Sequence, residues 1–158
     1  MKKLKIYIET SVISHLKAED VPEKMEITLK LWDDLKAGLY DVVLSEAVII
    51  ELSKCSEHKR NILQNYLEQI NYELVEITDE ADNLASRYIS EGVVPAKCYE
   101  DSLHIALASV SGCKVILSWN FKHIVRVKTV LGANGINKLE GYGEIEIASP
   151  ESMLEEGD

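Results

Sequence analysis

The chain has 158 residues, 46% of them apolar, and 17 Lys+Arg against 27 Asp+Glu leave a net charge of −10. That length and apolar content suit a single domain, residues 1–158, with an enclosed core, and exclude disordered and fibrous classes. The chain lacks a run of about 18 apolar residues, and Met1-Lys2-Lys3-Leu4-Lys5 leads into a stretch broken at Glu9 rather than a signal-peptide core. A soluble, cytoplasmic protein with no membrane partner is therefore expected.

Leu4-Lys5-Ile6-Tyr7-Ile8 alternates and is rich in strand formers, then meets Glu9-Thr10-Ser11 and an apolar helical pattern through Leu16. Pro22 opens a second helix, with Ile27, Leu31, Trp32 and Leu35 at helical spacing and Gly38 as its stop. Asp41 to Ser45 reads as a strand, and Ser45 caps the helix that carries Ala47, Val48, Ile50, Glu51 and Leu52. A helix is predicted from Glu57 to Asn71 and a strand from Tyr72 to Ile77. Thr78 begins a further helix, with Leu84, Ala85, Tyr88 and Ile89 as its buried stripe and Gly92 as its end.

Tyr99-Glu100-Asp101-Ser102 leads into the apolar helix Leu103 to Val110, closed by Gly112. Lys114 to Ser118 is a compact strand, Ile124 begins a helix through Leu131, and Gly132-Ala133-Asn134-Gly135 reads as a loop turn. Glu144 to Ala148 is extended, and Ser149-Pro150-Glu151 starts a short last helix, with the acidic end after about 154 expected to fray. Strands alternating with helices predict a central, mostly parallel sheet covered on both faces.

Three cysteines, Cys55, Cys98 and Cys113, form no CxxC, and the histidines show no HExxH or paired metal spacing. Neither a disulfide framework nor a zinc site is expected from spacing, and mostly buried, reduced thiols are predicted. The acidic balance opposes general attraction to nucleic acid, yet its distribution is uneven. From Ser102 to Leu139 there is no Asp or Glu, while Lys114, Lys122, Arg126, Lys128 and Lys138 are basic.

In a parallel α/β sheet ligands bind at the carboxyl ends of the strands, so polar residues just beyond each strand are informative. Glu9 follows the first strand, Glu51 sits in the helix after the second, Asp101 opens the helix before the strand at 114–118, and Asn120 follows that strand. Converging there, three carboxylates and a carboxamide make a hard oxygen site suited to magnesium or manganese.

Four segments also carry a family resemblance: Ile6-Tyr7-Ile8-Glu9-Thr10-Ser11-Val12, Leu44-Ser45 through Glu51-Leu52, Asp101-Ser102-Leu103-His104-Ile105-Ala106, and Leu117-Ser118-Trp119-Asn120-Phe121-Lys122-His123. In this order they resemble the PIN-domain family of metal-dependent ribonucleases, which includes the VapC-type toxins of toxin–antitoxin pairs. The resemblance implies a three-layer PIN-like α/β domain whose catalytic set is Glu9, Glu51, Asp101 and Asn120. Glu9, Glu51 and Asp101 would hold Mg2+ or Mn2+, RNA would be the substrate, and a homodimer bound to a small antitoxin would be the assembly. The family's first acid is normally Asp where this chain has Glu9, and its fourth is usually Asp where this chain has Asn120. The longer Glu9 shifts a metal held at ~2.1 Å, and Asn120 removes a charge while keeping a carbonyl acceptor.

Lys122, His123, Arg126 and Lys128 lie just after Asn120 and are the predicted RNA contacts. Each residue also has a structural explanation. Glu9 and Asp101 fit the first turn of a helix, Asn120 fits a turn, and His104 fits a structural hydrogen bond. Glu51 interrupts an apolar run, where a charge on a buried face is costly without a metal or partner. Trp32, Tyr66 and Tyr88 fit core packing, and the helices around Trp32 and Tyr66 are also candidates for a dimer surface. The leading expectation is a metal-dependent endoribonuclease, possessing a toxin-like role; the alternative is a catalytically impaired PIN-fold binding or interaction module.

Overall fold

The computed structural model describes residues 2–154, so the expected fraying beyond about 154 lies outside the described residues. Five strands among the described residues, β1 (Leu4–Ile8), β2 (Tyr40–Ser45), β3 (Glu73–Val75), β4 (Val115–Leu117) and β5 (Glu146–Ala148), form one sheet in the order β3-β2-β1-β4-β5. All its pairings are parallel, with Ile6 opposite Val42 on one side and Val115 on the other. As the central strand, β1 is covered on both faces, which is why Ile6, Tyr7 and Ile8 form a continuous buried run.

Among the described residues seven α-helices connect the strands: α1 (Thr10–Ser14), α2 (Pro22–Lys36), α3 (Glu46–Leu52), α4 (Glu57–Leu67), α5 (Asp79–Ser90), α6 (Tyr99–Val110) and α7 (Val127–Glu140). The chain moves outward from β1 to β2 and β3, then returns to the far side of β1 for β4 and β5. Crossovers of one hand with reversed direction put α1–α4 on one face and α5–α7 on the other. The point of reversal lies between β1 and β4. Predicted caps are in place: the Ser45 and Thr78 hydroxyls accept from the N–H groups of Val48 and Ala81.

Several boundaries differ from those the sequence predicts. α4 stops at Leu67 rather than Asn71, β3 and β5 are three residues each, and Pro150–Met153 is a single 3-10 turn rather than an α-helix. α6 begins at Tyr99, because a 3-10 turn at Ala96–Cys98 runs directly into it. The largest difference is α7, which starts at Val127 rather than Ile124 and continues through the predicted loop at Gly132–Gly135. Residues 121–126 are instead turns in which the Ile124 and Val125 N–H groups both donate to the Asn120 carbonyl.

The glycine-rich stretch stays helical for tertiary reasons. A Cβ on Gly132 would lie 2.8 Å from Val93 Cγ2, so the helix approaches Val93 where only glycine fits. Asn134 locks the same segment to the chain before β5: its Nδ2 donates to the Ile145 carbonyl at 2.9 Å and its Oδ1 accepts the Ile145 N–H at 2.7 Å.

Trp32 is 1% exposed and donates from Nε1 to the Tyr66 carbonyl at 3.0 Å. It belongs to the core, which removes it from the expected dimer surface. Tyr88 is likewise buried. Cys113 is buried, Cys55 and Cys98 are half-buried, and all three are free thiols. No helix among the described residues is long and apolar enough to cross a membrane.

Candidate active site

The reversal between β1 and β4 opens a crevice at the carboxyl ends of these strands. Glu9 enters it directly from β1 and caps α1. Its Oε2 accepts the Ser11 N–H at 3.0 Å, and its Oε1 accepts the Ser11 hydroxyl at 2.6 Å and the Ser118 hydroxyl. Ser118 Oγ also accepts the Asn120 N–H at 2.9 Å, and Ser11 Oγ accepts the Trp119 N–H at 2.8 Å. These bonds tie the end of β1 to the end of β4 and hold a carboxylate that is only 5% exposed. Glu9 therefore has the capping role that elementary helix chemistry allows it, inside the crevice that the sheet topology creates.

Glu51 reaches the same crevice from α3. Its Oε1 accepts the Thr10 hydroxyl at 3.2 Å and meets Nε2 of His104. The cost foreseen for a charge on an apolar helix is smaller than expected, because Glu51 is half-buried and its neighbours Ile49 and Ile50 face solvent. Burial raises the Glu51 carboxyl, but the His104 hydrogen bond and charge, with Thr10 and Lys54, hold it below the ordinary carboxylate range.

His104, on α6, is 1% exposed and is the common neighbour of the acids. Its Nδ1 lies 2.7 Å from the Tyr7 hydroxyl, which lies 2.7 Å from Ser45 Oγ. Burial opposes its charged form, yet the Glu51 hydrogen bond and the charges of Glu9, Glu51 and Asp101 raise its pKa above the ordinary histidine value. The sequence reading of His104 as a structural hydrogen-bonding group is met, with the addition that its partner is a candidate catalytic acid.

Asp101 enters from the first turn of α6. Burial and the Glu9 charge push its carboxyl up, against a hydrogen bond from Asn120 and the nearby His104 and His123. Asn120 lies where its side chain favours the ionised Asp101, and its Oδ1 accepts the His123 N–H at 2.9 Å, the turn role also foreseen for it.

The three acids and Asn120 therefore surround one crevice. Glu9, Glu51 and Asp101 do not form a tight cage, however. Among the described residues, the only three-residue set with ligand atoms within 4.8 Å of one another is Cys98, Asp101 and His123. The acids still fit magnesium or manganese by donor type, and the Glu9 charge acting on Asp101 is a repulsion that a dication relieves. Their looser spacing suits an ion that retains much of its water.

The predicted RNA-contact residues divide into two groups. Lys122 and Lys128 are exposed and Arg126 is half-buried, donating to the Lys122 carbonyl at 3.1 Å. Among the described residues none of these three has a carboxylate within ion-pair distance. His123 instead turns toward Asp101, and its Nδ1 is buried without a hydrogen-bond partner. Ser11, Ser118 and Cys98 were absent from the predicted site. Ser118 could have been found as the first residue beyond β4, whereas Cys98 has no local signal. A separate cavity of about 510 Å³, lined in part by Lys3, Lys5, Lys36 and Tyr40, opens at the opposite end of β1 and β2, away from the acids.

The structure of VapC20 from Mycobacterium tuberculosis, a toxin that cleaves the sarcin-ricin loop, superposes with a TM-score of 0.57 at 14% identity, covering 89% of this chain and 98% of that one. The fold is PIN-like. A second PIN-like match is VapBC2 from Rickettsia felis, solved bound to a DNA fragment from its promoter, with a TM-score of 0.55 at 11% identity and coverage of 92% and 98%. No protein-family model matches the sequence, and no curated protein is found similar to it. In PIN-like terms the α/β architecture is the one expected, with the 3-2-1-4-5 parallel sheet setting Glu9 and Asn120 on either side of the crevice.

Proposed function

We propose that the chain is a magnesium- or manganese-dependent endoribonuclease that hydrolyses RNA phosphodiester bonds, acting as the toxin of a pair neutralised by a small antitoxin. The observation that carries this reading is the gathering of Glu9, Glu51 and Asp101 around His104 in the crevice between β1 and β4. Glu9, Glu51 and Asp101 are the residues that would hold the ion. Bound there, it supplies Lewis acidity toward a phosphodiester oxygen and acidifies water. His104 keeps Glu51 ionised and oriented, Ser11 and Ser118 orient Glu9, and Asn120 orients Asp101. Lys122, Arg126 and Lys128 supply the cations that an acidic chain otherwise lacks for RNA phosphates.

The test is cleavage of a structured RNA by purified protein with Mn2+ or Mg2+ added after chelation. Glu51→Gln and Asp101→Asn should each abolish metal-dependent cleavage while keeping the wild-type circular dichroism spectrum. Cleavage that persists in both folded variants contradicts the reading.

A second reading, a catalytically impaired PIN-fold binding module, is favoured by one feature. Both oxygens of Glu9 are already occupied by hydrogen-bond donors, and Asn120 stands where a fourth acid would add charge. Retained RNA or protein binding with no metal-dependent cleavage would select it.

A further inference from the structure

Asp101 has a second set of neighbours that the acid set does not use. Cys98 Sγ, an Asp101 carboxylate oxygen and a ring nitrogen of His123 lie within 4.8 Å of one another, and all three residues are half-buried. Cys98 ends the 3-10 turn and Asp101 follows one turn later at the start of α6, so the two project from one side of the helix start. His123 comes from the loop after β4. Its backbone is fixed at both ends, by its N–H to Asn120 Oδ1 at 2.9 Å and by Thr129 Oγ1 to its carbonyl at 2.8 Å.

His123 Nδ1 is the only buried side-chain nitrogen or oxygen among the described residues without a hydrogen-bond partner. Buried polar groups are nearly always satisfied, so an imidazole nitrogen with no partner inside the protein is available to a ligand. A thiol beside an imidazole and a carboxylate is a donor set for borderline dications such as zinc, whereas magnesium and calcium take oxygen ligands. Ligand atoms about a tetrahedral zinc are roughly 3.3–3.8 Å apart for the usual bond lengths, so small side-chain rotations close the set.

We propose that Cys98, Asp101 and His123 form a zinc-class metal site, distinct in chemistry from the Glu9–Glu51–Asp101 oxygen set and sharing only Asp101 with it. Three protein ligands leave a fourth position open to water or to an anionic ligand. Zinc binding converts the Cys98 thiol to a thiolate with release of its proton, and it engages the Asp101 carboxylate that the oxygen set also needs. The two sites therefore compete for one residue. Metal binding here stands whether or not the chain cleaves RNA.

The experiment is titration of the full, tag-free, reduced protein with Co2+, followed by displacement with Zn2+. The expected result is one equivalent bound with a near-ultraviolet thiolate-to-cobalt charge-transfer band, which zinc removes and excess Mg2+ does not. Cys98→Ser should abolish the band, and His123→Gln should weaken zinc binding by about tenfold or more, as loss of a metal-site residue does. Cys55→Ser, Cys113→Ser and Glu51→Gln should leave band and stoichiometry unchanged. The proposal is overturned if wild-type protein gives no such band, if the band survives Cys98→Ser, or if it vanishes with Cys55→Ser. Unchanged zinc affinity in His123→Gln, which keeps every thiol, overturns it independently of how Cys98→Ser folds.

Discussion

The Tyr7 hydroxyl lies 2.7 Å from His104 Nδ1, joining the central strand to the helix that carries Asp101. His104 passes that connection on to Glu51 through Nε2, so one buried imidazole links three elements. Its protonation is therefore coupled to the contacts that hold these elements together.

His104 has a folded-state pKa above its ordinary 6.5, so its contribution is complete below that value and is lost as pH rises through the folded pKa. Glu51, held below its ordinary 4.5, contributes fully above that value and loses the contribution as pH falls through its own folded pKa. Asp101, raised from 3.8 by burial and by Glu9, favours the folded state when protonated, so stability also declines as pH climbs through its titration. Stability should therefore be greatest in mild acid and fall on the alkaline side. His104→Asn should cost about 1–3 kcal/mol in mild acid and flatten the alkaline decline. Urea unfolding of both proteins from about pH 5 to pH 9 checks this, and parallel curves would contradict it.

Ser118 donates to Glu9 and accepts from Asn120, both in the buried seam between β1 and β4. Ser118→Ala leaves the Asn120 N–H without its acceptor and Glu9 with one donor fewer. The expected loss is about 1–3 kcal/mol, the usual cost of unsatisfied buried groups. Chemical denaturation measures it, and a neutral result would mean that the seam does not depend on this hydroxyl.

Two glycines within α7 make an internal comparison. Gly135 has nothing within 4 Å of an added Cβ, so Gly135→Ala should gain about 0.5–1 kcal/mol from helix propensity alone. Gly132→Ala has the same propensity gain but meets Val93 Cγ2 at 2.8 Å and Cγ1 at 3.2 Å. A buried, β-branched valine gives way poorly, and overpacking of about 1–3 kcal/mol outweighs the gain. Opposite shifts in thermal midpoint are expected, and equal shifts would contradict the close approach.

Lys122 and Lys128, in the loop after Asn120 and the first turn of α7, are exposed with no carboxylate partner among the described residues. If they meet RNA phosphates, each alanine variant should lower the slope of log affinity against log salt by about 1. Lys138, at the far end of α7 from Lys128, should leave the slope unchanged. Fluorescence anisotropy with a labelled single-stranded RNA across a salt series distinguishes them.

The parts of the fold that were readable in the sequence are those that local chemistry determines. The buried run Ile6-Tyr7-Ile8 marks the central strand, and Ser45 and Thr78 mark helix starts, because pattern and capping act over a few residues. The helical course of Gly132–Gly135 was not readable, since glycine is required there by Val93 and Asn134 is required by Ile145, both distant in the chain. Around the crevice, Glu9 and Asn120 were legible as polar residues just beyond strands, Glu51 as a charge in an apolar helix and Asp101 as an acid opening the helix before β4. The pairing of Glu51 with His104, and the meeting of Cys98 with His123, depend on how α3, α6 and the loop after β4 pack, which no spacing rule encodes.

The crevice draws Glu9, Glu51, Asp101 and the Ser118–His123 loop from four separated stretches of one polypeptide. A chain still emerging during synthesis holds the earlier acids but lacks β4 and the loop beyond it, so it has no assembled pocket. Whatever chemistry this pocket performs is withheld from the nascent polypeptide until β4 and the loop through His123 have been made.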